Sequence, residues 1–227
     1  MRRLLCVAVA VLLQGGVAFA QDPAKVDPKH CKVEFEDANV RVLRWHVGPH
    51  EKIPMHEHPA FVSISLTGGH SMYALPDGKT KEDNLEPGQV TWSAGEKHAN
   101  ESLTDKLTET IQVELKTRPA ARTPAAEKEN QDDSTKLDPK HYKLELENDY
   151  ARVIRVRYGP GEKSVMHHHP RLIAINLSGG NFAFTLADGT MRENPGKPGD
   201  VNVMPAESHL PQNRGDSPSE VILVEPK

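Results

Sequence analysis

Six histidines stand where imidazole nitrogens could converge on metal ions. Met55-His56-Glu57-His58-Pro59 and Met166-His167-His168-His169-Pro170 each carry a His-x-His pair, and His98 and His209 follow their pairs at matching distances. In an extended strand, residues two apart share one face and lie about 6 to 7 Å apart. Both rings of a pair can therefore reach a single ion, and a third imidazole from a distant strand would complete a three-His set. Such a set suits a divalent transition metal with positions left open, one ion for each set. A lone His-x-His is as easily a core or surface pair. Recurrence of the whole set is what points to metal.

That recurrence belongs to a repeat. Val26-Asp27-Pro28-Lys29-His30 returns as Leu137-Asp138-Pro139-Lys140-His141, and Val113-Glu114-Leu115-Lys116 as Val224-Glu225-Pro226-Lys227. One ungapped offset of about 111 residues carries both matches, with identities at about four positions in ten. A unit near 90 residues is too long for a solenoid repeat and long enough for a small domain. The expected organisation is a first domain over residues 21–116, a linker over 117–136 and a second domain over 137–227. The linker has no apolar period and almost no large side chain to bury.

The elements that must position the histidines read as strands. Val40-Arg41-Val42-Leu43-Arg44-Trp45 and Ala151-Arg152-Val153-Ile154-Arg155-Val156 are β-branched and largely alternating, as are Val62-Ser63-Ile64-Ser65-Leu66-Thr67 and Thr110-Ile111-Gln112-Val113-Glu114. Turn residues punctuate them at Gly48-Pro49, Gly68-Gly69, Pro76-Asp77-Gly78 and Pro87-Gly88, with counterparts in the second unit. No stretch offers an amphipathic helix. The pattern predicts an all-β chain of two tandem small jelly-roll barrels.

The order Gly, His-x-His, Gly, then Gly-x5-Pro and a third His resembles the two signature motifs of the cupins, duplicated as in a bicupin. Gly88 and Gly199, Pro205 and Asn213 match the second motif, whereas Ala94 and Ser102 depart from it. The resemblance covers both units. It implies double-stranded β-helix barrels, each around one mononuclear Fe, Mn, Ni, Zn or Cu ion, with His56, His58 and His98, and His167, His169 and His209, as ligands. Cupins of this pattern also use a Glu three to five residues after the pair, and Pro59-Ala60-Phe61-Val62-Ser63 and Pro170-Arg171-Leu172-Ile173-Ala174 supply none. What is left is a three-His centre similar to that of the thiol dioxygenases in the same superfamily. One reading is then a metal-dependent, dioxygenase-type oxidoreductase on a small molecule. The other is a metal- or ligand-binding module without turnover.

Glu96 and Glu207 stand two residues before the third His and share its face on an extended segment. Three roles are open to them: a fourth ligand, a base hydrogen-bonded to a ligand imidazole or bound water, or an exposed loop residue. Met55 and Met166 read as packing residues on the opposite face. His30 and His141 read as turn or domain-contact residues, and His46, His50, His70 and His168 as surface. Arg41, Arg44, Arg152 and Arg155 read as a solvated strand face with Glu partners, and Arg171 as solvated or as an anion holder.

Composition bounds the rest. The 227 residues carry 28 Lys and Arg against 32 Asp and Glu, a net charge of −4 that favours neither nucleic acid nor an anionic membrane as partner. With only two Trp, at 45 and 92, a carbohydrate platform is disfavoured. A small-molecule ligand or substrate is the expected partner, with a homo-oligomer left open. Arg2 and Arg3 precede an apolar run over residues 4–13, and Ala18-Phe19-Ala20 precedes Gln21. These are the parts of a cleaved secretory signal, too short for a membrane span. Export to the periplasm or medium is expected, with no membrane attachment after cleavage. Cys6 would leave with the signal, and Cys31 would remain as the one thiol.

Overall fold

The computed structural model describes residues 21–117 and 132–227. The expected signal segment and most of the expected linker lie outside the described residues, and no described helix is long and apolar enough to cross a membrane.

Nine strands form the first half: β1 (Cys31–Glu36), β2 (Val40–Val47), β3 (Lys52–His58), β4 (Phe61–Ser65), β5 (Gly69–Ala74), β6 (Thr80–Leu85), β7 (Val90–Ser93), β8 (Glu96–Ser102) and β9 (Thr108–Leu115). Nine more repeat them: β10 (Tyr142–Glu147), β11 (Ala151–Tyr158), β12 (His167–His169), β13 (Leu172–Asn176), β14 (Gly180–Leu186), β15 (Met191–Gly196), β16 (Val201–Met204), β17 (Glu207–Asn213) and β18 (Ser219–Pro226). Each half is two antiparallel sheets. Their orders are β1-β2-β9-β4-β7 and β3-β8-β5-β6, then β10-β11-β18-β13-β16 and β12-β17-β14-β15. The non-sequential neighbours are those of a jelly roll, the barrel pair that the strand pattern predicts. A helical turn introduces each half: α1 (Pro23–Val26), capped by the Asp22 carboxylate, and α2 (Ser134–Leu137), capped by Asp133. Gly88 and Gly199 turn the chain at φ of 77° and 83°, a region that side chains with a Cβ rarely adopt.

Strand alternation divides β2 and β11 between two interiors. Val40 and Val42 join Val62, Ile64, Ile111 and Val113 in one apolar cluster with Ala151, Val153, Ile173, Ile175, Ile222 and Val224 of the second half. The two five-stranded sheets thus pack face to face, and the strands of both are apolar on that side. Leu43, Trp45 and Val47 point the other way, into the first barrel, with Cys31 and Ile53. Ile154, Val156 and Tyr158 do the same in the second.

The same parity overturns the expectation of one solvated arginine face. Arg41 and Arg44 are an odd number of residues apart, so they leave opposite faces of β2. Arg41 is buried against Asp22 and Glu114. Arg44 reaches across the junction to the Gly199 carbonyl at 2.6 Å, and Arg155 returns the contact to the Gly88 carbonyl at 2.6 Å. Arg171 also crosses, to Asp37 at 2.6 Å, rather than standing solvated or guarding an anion.

Candidate metal centres

The triads are cross-strand constructions. β3 and β8 pair antiparallel with His56 opposite His98 and His58 opposite Glu96; β12 and β17 pair with His167 opposite His209 and His169 opposite Glu207. Alternation then puts three rings on one face of two neighbouring strands, all buried. Pairing of β3 with β8 breaks between Ile53 and His56, an irregularity that re-aims the chain before the first ligand position. In each triad, one nitrogen from each ring lies within 4.8 Å of the other two, and these are the two such groups of three among the described residues.

Five of the six rings have a hydrogen-bond partner on Nδ1, and the sixth, His98, has a carboxylate beside it. The Pro54 carbonyl accepts from His56 Nδ1 at 2.8 Å and the Val165 carbonyl from His167 Nδ1 at 2.9 Å. Buried carboxylates accept from the second ring: Glu114 from His58 Nδ1 at 2.7 Å, and Glu225 from His169 Nδ1 at 2.8 Å. Glu96 lies 3.1 Å from His98 Nδ1, and Glu207 accepts from His209 Nδ1 at 3.0 Å. Fixing the proton on Nδ1 leaves Nε2 with its lone pair. His58, His167 and His169 each keep that Nε2 buried with no hydrogen-bond partner. Buried polar atoms left unmatched at several kcal/mol each, those of His58 and His169 at equivalent positions, fit an ion that would satisfy them.

The electrostatics agree with neutral rings. Burial pushes His56 down to about 4, His167 to about 3, and His169 and His209 to about 4, so these imidazoles are uncharged at neutral pH, the form that binds metal. The His98 ring beside Glu96 holds that carboxyl down at about 2. Arg192 lowers Glu207 in the same way. Behind the second ring of each triad runs a chain of ions. Arg41 joins Glu114, 2.9 Å from its Nε, to Asp22 at 2.9 Å. Arg152 joins Glu225 at 3.1 Å to Asp133 at 2.9 Å.

The two triads face different chambers. In the first barrel a cavity of about 470 Å³ reaches His56 and His98. In the second, the space at His169 and His209 is about 60 Å³. The cause is a set of exchanges at equivalent positions: Ser63, Ser71, Ser93, Asn100, Thr110 and Gln112 line the first, and Ala174, Phe182, Met204, Pro211, Val221 and Leu223 line the second. Tyr158, standing where the first barrel has Val47, completes the filling and donates to the Tyr142 hydroxyl at 3.1 Å.

Comparison with solved structures matches the fold. AerE from Microcystis aeruginosa superposes with a TM-score of 0.65 at 14% identity, covering 92% of this chain and 97% of AerE. An oxalate decarboxylase from Bacillus subtilis gives 0.58 at 14%, over 82% and 68% of the two chains. The cupin 2 conserved barrel domain protein from Leptotrichia buccalis gives 0.54 at 12%, over 87% and 88%. The chain has the cupin fold. No protein-family model matches the sequence, and no curated protein matches it.

Within the cupin barrels, the six histidines expected as ligands come together as two triads. Glu96 and Glu207, for which three roles were open, sit on the Nδ1 side of the third His, away from the ring's free nitrogen. His30 and His141 lock turns, each between an Asp three residues earlier and Glu51 or Glu162. His46, His50 and His70 lie by surface carboxylates, whereas His168 bonds Ser208. Met166, expected as a packing residue, is 39% exposed. Both tryptophans are among the residues lining the first chamber. The sequence reading missed Glu114 and Glu225 as site residues. Their signal was a carboxylate retained in both copies on a strand otherwise rich in β-branched residues.

Proposed function

We propose that this protein is an exported metal-binding bicupin, with domains over residues 21–116 and 137–227. It holds one divalent transition metal in each barrel and acts on a small molecule in the first. The observation that carries this is the pair of buried triads, in which five of the six Nδ1 atoms are hydrogen-bonded while Nε2 of His58, His167 and His169 is left unmatched. His56, His58 and His98 would hold one ion, and His167, His169 and His209 the other. Removal of residues 1–20 would deliver the chain to the periplasm or medium.

A bound Fe, Mn, Ni, Zn or Cu ion would supply Lewis acidity and, where redox-active, the electrons for dioxygenase-type chemistry. The chain's own part is positioning. Glu114 and Glu96 orient rings and keep the Nδ1 protons in place, and the barrel wall sets what reaches the open side. A second reading, binding without turnover, suits the second barrel: its chamber beside His209 is narrower and lined mostly by apolar side chains.

Elemental analysis of the mature protein tests the metal assignment. Two ions per chain are expected, falling to one in His56→Ala/His58→Ala and to one in His167→Ala/His169→Ala. No metal in any form after reconstitution with Fe, Mn, Ni, Zn and Cu would overturn it. For the iron-loaded protein, oxygen uptake across thiols, flavonols and small dicarbonyls separates an enzyme from a binder. A signal lost in the first double variant and kept in the second is expected.

A further inference from the structure

We infer that the chamber of the first barrel takes a neutral, hydroxyl-rich ring, a cyclic polyol or pyranose, and rejects small carboxylates. This rests on the reading of that barrel as the one that acts on a small molecule. Three features of the wall carry it.

The first is neutrality with hydrogen-bonding capacity. Ser63, Ser71, Asn100 and Gln112 offer hydroxyl and amide groups to the cavity beside the triad, matched to a ligand that donates and accepts at many points. Gln112 is held in place, its carbonyl oxygen accepting from Trp45 Nε1 at 2.7 Å, which leaves its amide N–H groups to donate. The second feature is charge. Lys81 is the one Lys or Arg among the lining residues, and it is 3.0 Å from Glu96 and 5.1 Å from the Tyr73 ring centroid. Glu82 and Asp83 also line the cavity. Away from the ion that the triad would hold, a carboxylate ligand would meet acidic neighbours and no free side-chain cation, a like-charge arrangement that selects against it. The third feature is flat apolar surface: Trp45 and Phe61 line the same space, their rings beside those of His56 and His58, and offer apolar contact to the C–H side of a sugar-like ring. The second barrel supplies the contrast, because Phe182 and Leu223 replace Ser71 and Gln112 and make the space narrower and apolar.

Intrinsic fluorescence tests the inference, because the chain's two tryptophans both line this chamber. The mature full chain, with metal content measured beforehand, is titrated with myo-inositol, D-glucose, oxalate and malonate. A saturable change with a polyol or sugar and none with the dicarboxylates is expected. Ser71→Phe, which copies the second barrel, is expected to weaken that binding at least tenfold with metal content unchanged. Gln112→Leu gives the same test by removing a donor without adding bulk, and serves if Ser71→Phe fails to fold. Tighter binding of a dicarboxylate, silence with every polyol and sugar, or binding that survives both substitutions overturns the inference. A metal-loaded protein that is silent would sink this ligand class alone; a protein that takes up no metal would sink the metal assignment whatever the fluorescence shows.

Discussion

Replacing Glu114 by Gln separates what the buried carboxylate does for the fold from what it does for the metal centre. Oε1 accepts from His58 Nδ1 at 2.7 Å, and Oε2 lies 2.9 Å from Arg41 Nε, with the side chain 3% exposed. The amide keeps one acceptor oxygen, and either way one contact is lost. If the oxygen stays on His58, the new N–H₂ group faces Arg41, whose remaining bonds go to Asp22 at 2.9 and 3.1 Å. A charge-assisted hydrogen bond in a buried site contributes about 1.5–3 kcal/mol, so metal-free protein should lose stability of that order. For metal, the loss of the negative charge behind His58 lowers the basicity of its Nε2. Disturbing a carboxylate behind a ligand imidazole weakens affinity about 10–100-fold, or roughly 1.4–2.7 kcal/mol. Competition titration against a chelator, with the His167→Ala/His169→Ala background isolating the first site, measures this directly. Urea unfolding of the metal-free variant measures the structural part. Weakened metal binding together with the modest stability loss is expected; full stability loss with metal affinity unchanged would refute the role assigned to Glu114.

Acid should destabilise the metal-free protein. His56, His167, His169 and His209 have folded-state values near 4, 3, 4 and 4 against an unfolded value near 6.5, so the unfolded chain takes up protons first and stability falls as pH drops from about 6.5 towards 4. Glu225, pushed up by burial to about 7, acts in the opposite sense over the same window, one group against four. A urea midpoint at pH 5 equal to or above that at pH 7 would contradict this balance. Arg44→Ala and Arg155→Ala each remove a bond across the barrel junction and leave a Gly carbonyl unmatched, a loss of about 1–3 kcal/mol. Calorimetry should show each lowering Tm by roughly 2–4 °C per kcal/mol, and an unchanged Tm in both would show the junction bonds to be neutral. Cys31 is 2% exposed, and burial pushes its thiol to about 12, so a thiol reagent should label it only on unfolding. Fast labelling of the native mature protein would contradict its burial.

What the sequence exposed depended on whether a signal was local or shared between strands. The six ligand histidines were legible because a strand's two-residue period and the long repeat act together: period fixes the face of His56 and His58, and repetition shows that His98 goes with them. Strand pairing made them a set, since His98 stands opposite His56 on the adjacent strand. Glu114 carried the same repeat signal as Glu225 and was passed over because an acid near the end of an amphipathic strand ordinarily faces water. It is buried because Arg41, one strand away and directly paired with it in register, faces the same interior. Two charges that each look solvated alone become one internal ion pair only when the pairing of β2 with β9 is known. Arg44 and Arg155 raise the same difficulty at larger scale, since their partners lie in the other barrel.

The duplication also explains why one chain carries two triads with such unlike surroundings. The parts that orient the imidazoles recur in both halves: Glu114 and Glu225, Arg41 and Arg152, Asp22 and Asp133. The parts that would touch a ligand have diverged, Ser71 against Phe182 and Gln112 against Leu223. Had both triads served turnover, both chambers would need room beside the third His; had neither bound metal, the buried Arg–Glu chain behind each second His would be a desolvation cost with no return. The pattern of retained orientation and divergent walls therefore supports the proposal that both barrels hold metal and that the first selects the ligand. The second barrel's ion would then tie β12 to β17 beneath a filled core, and stripping metal from His56→Ala/His58→Ala protein should lower its Tm. A Tm unmoved by chelator in that variant would leave the second triad without a structural role.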